Sequence, residues 1–260
     1  GIYFMKKTLI ALAVAASAAV SGSAMAWDPS GTGGNVELGG TLTPQAKVTP
    51  WEVQTGAAVT NLDGFVQKGQ QNVEVTVKNT IPVLGIRTIE KAAFQGKAGI
   101  APKIDYHGAI DVSKFNSSRV PLTLNVNDSG NQKIGSLTVD MGSQAIASGK
   151  GSWTKKAIVF AGKGGGFEGA VPVNTSGVLA NQVIVDSLFP GAMANFDAQG
   201  ITISYDPMNT NFANTAIKYS AAYGAGIEKG KIIKITLDKA ASGDAPIAWK
   251  ASLPVTVSYQ

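Results

Sequence analysis

The chain has 260 residues, a formal net charge of +5 and no cysteine. The absence of cysteine excludes disulfide bonds, thiol chemistry and cysteine-ligated metal sites. The lysines are dispersed along the sequence, so the positive charge indicates a solvated surface and argues against a nucleic-acid partner.

The first 26 residues carry the three parts of a secretory signal peptide. These are a positive start at residues 5–7, an apolar run at 9–20 and a small-x-small cleavage site at 24–26. A membrane anchor is the alternative, but a spanning helix needs about 20 apolar residues, and this run ends at Ser21. We therefore expect residues 5–26 to be removed during export, residues 1–4 to be upstream read-through, and the exported chain to begin at Trp27.

Residues 27–43 form the next segment, an N-terminal extension. Its first part, 27–34, is rich in glycine and other small or turn-forming residues, which is typical of a disordered tether. The residues that follow alternate in polarity with the period of a β-strand, and one face would carry Val36, Leu38, Gly40 and Leu42. We expect a strand on a flexible tether.

The central chain has the pattern of short strands separated by turns. Residues 72–78 alternate between apolar and polar, and so do 122–126 and 134–141 on either side of a turn at 128–131, which predicts a β-hairpin. Further strand candidates, most of them bounded by Gly, Pro, Asn or Asp, lie at 157–161, 201–205, 216–223, 231–237 and 253–259. Many short strands with turn signals predict an all-β fold, a β-sandwich.

One region departs from the strand pattern. Apolar residues within 178–196 have the spacing of short helices, interrupted at Pro190 and Gly191. We interpret the region as part of a partly helical insertion in the sandwich, spanning about residues 142–215.

Enzyme signatures are weak. Residues 164–169 fit the GxGxxG pattern, but residues 170–173 do not begin the helix that a dinucleotide site requires, so a glycine-rich loop is the better interpretation. His107 is the only histidine, which excludes a multi-histidine metal site and allows at most one catalytic triad. We expect His107 on the surface or in a loop, and Asp105 and Asp111 cannot be assigned to one site. We predict no enzyme activity, cofactor or metal.

The last strand candidate reaches almost to the end of the chain. Its alternating residues are Leu253, Val255, Val257 and Tyr259. A strand near each terminus permits β-strand addition, in which an extended segment of one subunit pairs with an open sheet edge of the next. The alternative is two ordinary strands within one closed sandwich, and the composition leaves both interpretations open.

Several segments, in their order and spacing, resemble the Fae-type (kappa-class) chaperone–usher fimbrial subunits of enterobacteria. They are residues 5–19, 34–43, 51–56, 134–139, 219–227 and 249–259. The resemblance implies that residues 44–260 form an immunoglobulin-like β-sandwich lacking its final strand. It also implies export to the periplasm, capture by a periplasmic chaperone, polymerisation at an outer-membrane usher, and a place in a cell-surface fimbrium.

The resemblance also implies roles for the two terminal strands. Val36, Leu38, Gly40 and Leu42 would form the donor strand that completes a neighbouring fimbrial subunit. Leu253, Val255, Val257 and Tyr259 would form the C-terminal strand with which the chaperone pairs.

In relatives of this class the major subunit is itself an adhesin for glycans on host glycoproteins or glycolipids. The corresponding candidates here are Phe160, Lys163, Phe167 and Glu168, because aromatic faces stack on sugars and polar groups fix hydroxyls. The alternative, that these residues form a mobile loop and core edge, stays open. So do two other identities: a minor non-adhesive subunit and a stand-alone secreted carbohydrate-binding module.

Overall fold

The computed structural model describes residues 36, 38–43 and 48–260. The chain divides into two units, Gly1–Ala46 and Lys47–Gln260. The expected signal peptide and most of the expected N-terminal extension lie outside the described residues. No helix among the described residues is long and apolar enough to cross a membrane.

The regular secondary structure in the described part of the second unit is almost entirely β-strand. The strands are β1 (Trp51–Thr55), β2 (Asn72–Thr76), β3 (Ile81–Thr88), β4 (Phe94–Gln95), β5 (Pro102–Asp105), β6 (Arg119–Asn127), β7 (Lys133–Gly151), β8 (Thr154–Val159), β9 (Ser204–Met208), β10 (Ile217–Ile227), β11 (Ile232–Leu237) and β12 (Thr256–Tyr259). Helical structure in these residues is limited to α1 (Val185–Leu188) and two 3-10 turns, Val112–Lys114 and Thr175–Gly177.

The strands form two sheets. The large sheet has the order β1-β3-β10-β7-β11-β2, with β4 beside β10, β6 and β8 beside β7, and β9 beside β8. The small sheet pairs β12 with β5. Neighbouring strands are antiparallel except β8 and β9. The two sheets and the very low helix content confirm the predicted all-β sandwich.

The predicted hairpin is present, and its second strand is longer than expected. Leu122 of β6 lies opposite Val139 of β7, and β7 continues for 19 residues. The expected start of the insertion, about residue 142, therefore falls inside a strand. The reason is burial on both faces: residues 141–149 are all buried, and a Cβ added to Gly142 would come within 2.5 Å of the Leu188 side chain. Continuous burial removes the alternation by which a strand is recognised.

The region 178–196 contains the single helix α1, which ends two residues before Pro190. Its residue Val185 belongs to a small second core with Ile146, Ile158, Phe189, Ala192 and Ala222. Most of this region is turn and coil, so its helical content is smaller than predicted. Elsewhere, β9 begins at Ser204, three residues later than the predicted strand at 201–205.

Aromatic rings fill the main core. Trp51 lies edge-to-face with Phe94 and Phe212, with ring centroids 5.1 and 5.2 Å apart. Beside them the Tyr106 and Tyr223 hydroxyls lie 2.7 Å apart, and burial raises the pKa of both. Buried polar groups of this kind are stable because they are hydrogen-bonded.

Candidate functional site

The C-terminal segment, residues 249–260, alternates without a break between half-buried and exposed side chains. The half-buried members pack against the main core, and they are Trp249, Ala251, Leu253, Val255, Val257 and Tyr259. Their apolar surface is therefore only partly covered. A face that points to the core yet stays half-exposed is typical of a sheet with room for another strand.

The backbone of this segment is paired at its two ends, and between them it has an open edge. Lys250 exchanges two backbone hydrogen bonds with Asn127, both 2.8 Å, and Gln260 exchanges two with Ala101, 3.0 and 3.1 Å. In an antiparallel ladder alternate residues direct their backbone groups to opposite sides, so the even-numbered residues of β12 face β5 and the odd-numbered ones face away from it. Among the described residues, the backbone groups of Leu253 and Val255 have no hydrogen-bond partner.

Proline at position 254 does not interrupt the open edge. Pro254 has no N–H to donate, but Leu253 and Val255 on either side of it keep their N–H groups. These backbone donors and acceptors, which have no partner among the described residues, are a template for strand addition.

β1 provides a second open edge. It is an end strand of the large sheet. The even-numbered residues that flank it bond toward β3: the Ile89 N–H donates to the Pro50 carbonyl oxygen at 2.9 Å, and the Gly56 N–H donates to the Val83 carbonyl oxygen at 3.0 Å. Trp51, Val53 and Thr55 therefore direct their backbone groups away from β3. An added strand could therefore pair with β1 as well as with the C-terminal segment.

The end of the C-terminal segment lies next to the start of β1. The Tyr259 hydroxyl bonds to the Thr49 side chain, and burial raises the pKa of Tyr259 despite that bond. The Trp51 indole N–H donates to the Ile100 carbonyl oxygen at 2.6 Å. The end of the chain and the start of β1 are thus held side by side.

The predicted donor residues have exposed side chains. Val36, Leu38 and Leu42 are 81%, 93% and 96% exposed, and a Cβ placed on Gly40 would meet no atom within 4 Å. No strand is assigned within residues 36 and 38–43. Three large apolar side chains, spaced two and four residues apart, are therefore exposed to solvent.

The four residues predicted to bind glycans do not share one exposed surface. Lys163 is exposed and Phe160 is half-buried. Phe167 is 0% exposed, stacks on Tyr223 with ring centroids 5.6 Å apart, and meets Trp51 edge-on at 5.8 Å. Because its ring is fully buried, Phe167 is a core residue and cannot stack on a sugar in this structure.

The glycine-rich loop explains the burial of Phe167. Residues 162–169 form turns and not the start of a helix, so the loop interpretation of the GxGxxG match is confirmed. Phe167 has φ +64° and Gly169 has φ +85°, and a Cβ on Gly169 would lie 2.1 Å from the Ile104 carbonyl oxygen. Glycine permits this close approach because it has no side chain, so the loop can pack against β5 and bury Phe167.

Glu168, also on this loop, contacts the end of the chain. Its carboxylate accepts a hydrogen bond from the Gln260 side-chain amide at 2.9 Å and pairs with Lys103 at 3.2 Å. Burial tends to raise the pKa of Glu168, but these contacts and the Gly164 N–H outweigh it and lower that pKa. No sequence signal identified Gln260 and Lys103, because only the fold brings them to Glu168.

His107 lies in a loop, as predicted, with φ +51°. Its Nε2 is 2.8 Å from the Thr256 hydroxyl, and its Nδ1 is 4.0 Å from the Asp105 carboxylate. Asp111 instead caps a 3-10 turn, where hydrogen bonds from Ser113 lower its pKa. Within the described ranges, no group of three or more His, Asp or Glu side chains could hold a metal ion.

Comparison with known proteins identifies the family. A family model described as "Fimbrial, major and minor subunit" and named for K88 matches residues 5–260. The chain is 29% identical to the F41 fimbrial protein of Escherichia coli, and 30% identical to the K88 fimbrial protein AB of the same species. Each comparison covers 98% of this chain and 100% of the relative. The predicted resemblance is confirmed, and the chain belongs to the K88 family of fimbrial major and minor subunits.

Proposed function

We propose that the chain is a structural subunit of a cell-surface fimbrium and that it polymerises by donor-strand exchange. The observation that carries the proposal is the open edge at Leu253 and Val255, where half-buried apolar side chains lie beside backbone groups that have no partner among the described residues. Unpaired backbone groups near a core destabilise a protein unless something covers them. A strand from another molecule would cover both the backbone and the apolar surface.

The N-terminal extension of a neighbouring copy fits this requirement. Val36, Leu38 and Leu42 have the two-residue period of a strand and are exposed. Full burial of each contributes about 1.5–3 kcal/mol, in addition to the backbone ladder. Gly40 suits a shallow part of the groove because it has no side chain.

The same edge needs a temporary partner before assembly. We propose that a periplasmic chaperone pairs with Leu253, Val255, Val257 and Tyr259, and that an outer-membrane usher exchanges the chaperone for the next subunit. Family membership supports this route, and so does the exposure of an edge that would otherwise aggregate. The abundance of the chain in purified fibres distinguishes a major from a minor subunit.

Size-exclusion chromatography tests the polymerisation mechanism. One protein is the chain 27–260, and the other lacks residues 27–42 but carries residues 34–43 fused through a short linker after Gln260. We expect the first to polymerise and the second to be a stable monomer, called here the self-complemented monomer. Two equally stable monomers would mean that the sandwich is already closed, and a stand-alone secreted module would replace the fimbrial mechanism.

Binding of host glycans is the second function that we propose. The candidate residues for it are now Phe160 and Lys163. Both are accessible and flank Gly162 at the edge of the glycine-rich loop, so an aromatic face and a cationic donor lie on one short segment. We expect the self-complemented monomer to bind a subset of glycans on an array, and the double variant F160A/K163A to lose that binding. Equal binding by both proteins would move the glycan site elsewhere.

A further inference from the structure

The end of the chain belongs to a small three-membered ladder. β5 pairs with β12 along one edge, with Val257 opposite Ile104 and Tyr259 opposite Pro102. Along its other edge, β5 bonds to the glycine-rich loop. There the Phe167 N–H donates to the Pro102 carbonyl oxygen at 2.6 Å, and the Ile104 N–H donates to the Glu168 carbonyl oxygen at 2.9 Å. The loop thus lies on the far side of β5 from the open edge.

The Glu168 side chain spans this ladder. Its backbone bonds to Ile104 on one edge of β5, while its carboxylate reaches Lys103 and the Gln260 amide at the end of the outer strand. The carboxylate is mostly covered, with 19% of the Glu168 side chain exposed. A charge-assisted hydrogen bond in such a position is stronger than one between neutral groups.

We propose that Glu168 is a positioning residue that holds the C-terminal strand in the geometry an incoming donor strand needs. The inference rests on the proposed function, because it concerns the same open edge. A terminal strand paired on one side only tends to fray. An incoming strand must then meet the cost of ordering the edge before the ladder can form. Glu168 reduces that cost by fixing the last residue in advance.

Three variants of the chain 27–260 isolate this role. E168A removes the carboxylate, and E168Q keeps an amide oxygen that can accept the bonds from Gln260 and Gly164. E90A is the matched control, because Glu90 is an exposed carboxylate with no hydrogen bond or ion pair among the described residues. Hydrogen exchange is measured over residues 256–260 and, for comparison, over β7, and assembly is followed by light scattering at fixed concentration.

We expect E168A to exchange at least about tenfold faster at residues 256–260, from the loss of a hydrogen bond to a charged group. Its initial assembly rate falls by a similar factor, and exchange in β7 is unchanged. E90A stays within about twofold of the parent chain. E168Q keeps the hydrogen-bond acceptor but loses the charge and the Lys103 ion pair, so it falls between the parent chain and E168A. Normal exchange and assembly in E168A would overturn the inference, as would faster exchange throughout β7, which indicates a merely structural role. E168Q as impaired as E168A would overturn the assignment to the Gln260 bond.

A fourth variant, L38D, separates this inference from the function on which it rests. If the parent chain assembles, L38D does not, and E168A behaves normally, donor-strand exchange stands and the positioning role fails. If L38D assembles like the parent chain, the donor assignment itself fails, and the positioning role fails with it.

Discussion

Replacing Phe167 by alanine separates a core role from a sugar-binding role for this ring. The side chain is 0% exposed and contacts three other aromatic rings. Truncating a buried phenylalanine costs about 3–5 kcal/mol, because apolar contacts are lost and a cavity remains. In a domain of this size each kcal/mol lowers Tm by about 2–4 °C, so we expect Tm to fall by roughly 6–20 °C.

Thermal unfolding of the self-complemented monomer measures this loss without interference from polymerisation. Tyr205→Ala is the matched control, since Tyr205 is an aromatic residue that is 66% exposed and surface truncations change stability by about 0.5 kcal/mol or less. An F167A protein with the parent Tm and with selective loss of glycan binding would refute the core assignment.

Three further predictions concern the donor strand, the close packing of β3 and the end of the chain. L38D should abolish fibre assembly while leaving the chaperone-bound subunit folded, as electron microscopy and co-purification would report; normal fibres would remove Leu38 from the donor strand. G85A should lower the free energy of unfolding by about 1–3 kcal/mol, because the new Cβ would lie 2.5 Å from the Phe189 ring. Chemical denaturation measures this, and G162A, which meets no atom within 4 Å, should be near neutral. The lowered pKa of Glu168 means that its contribution is present above the unfolded-state pKa, about 4.3, and is lost as pH falls through the lower folded-state pKa. Exchange at the chain end should therefore accelerate in acid in the parent and much less in E168Q, and equal acid sensitivity would contradict this origin.

The sequence predicted the elements whose pattern is local. The β6–β7 hairpin has alternating strands around a polar turn. The C-terminal segment alternates over 12 residues, although only Thr256–Tyr259 of the predicted strand at 253–259 is β-strand. β3 was missed because residues 84–86 are all buried, which replaces alternation by a continuous run. β9 was placed too early because Pro207 argues against a strand, whereas this strand pairs on only one side, with β8.

Only part of the candidate site could be predicted from the sequence. The inward face of the C-terminal strand follows from its two-residue period, so those residues could be named in advance. Phe167 and Glu168 could not be placed, because a loop with five glycines in residues 162–169 has the composition of an exposed turn. Their burial depends on backbone bonds to β5, about 60 residues earlier in the chain, and no local pattern encodes such a contact.

The natural absence of cysteine makes disulfide trapping the most direct test of the central claim. Chains carrying L38C together with L253C, V255C or V257C are assembled and oxidised. Leu253, Val255 and Val257 have side chains that face the core, and residues on the same face of neighbouring strands have Cβ atoms about 4.5–5.5 Å apart. S252C is the control, because the Ser252 side chain is exposed and points away from the core. Donor-strand exchange predicts a ladder of linked oligomers on non-reducing gels for at least one inward position and none for S252C. Fibres that give no ladder at any inward position, or links only within single chains, would contradict the account.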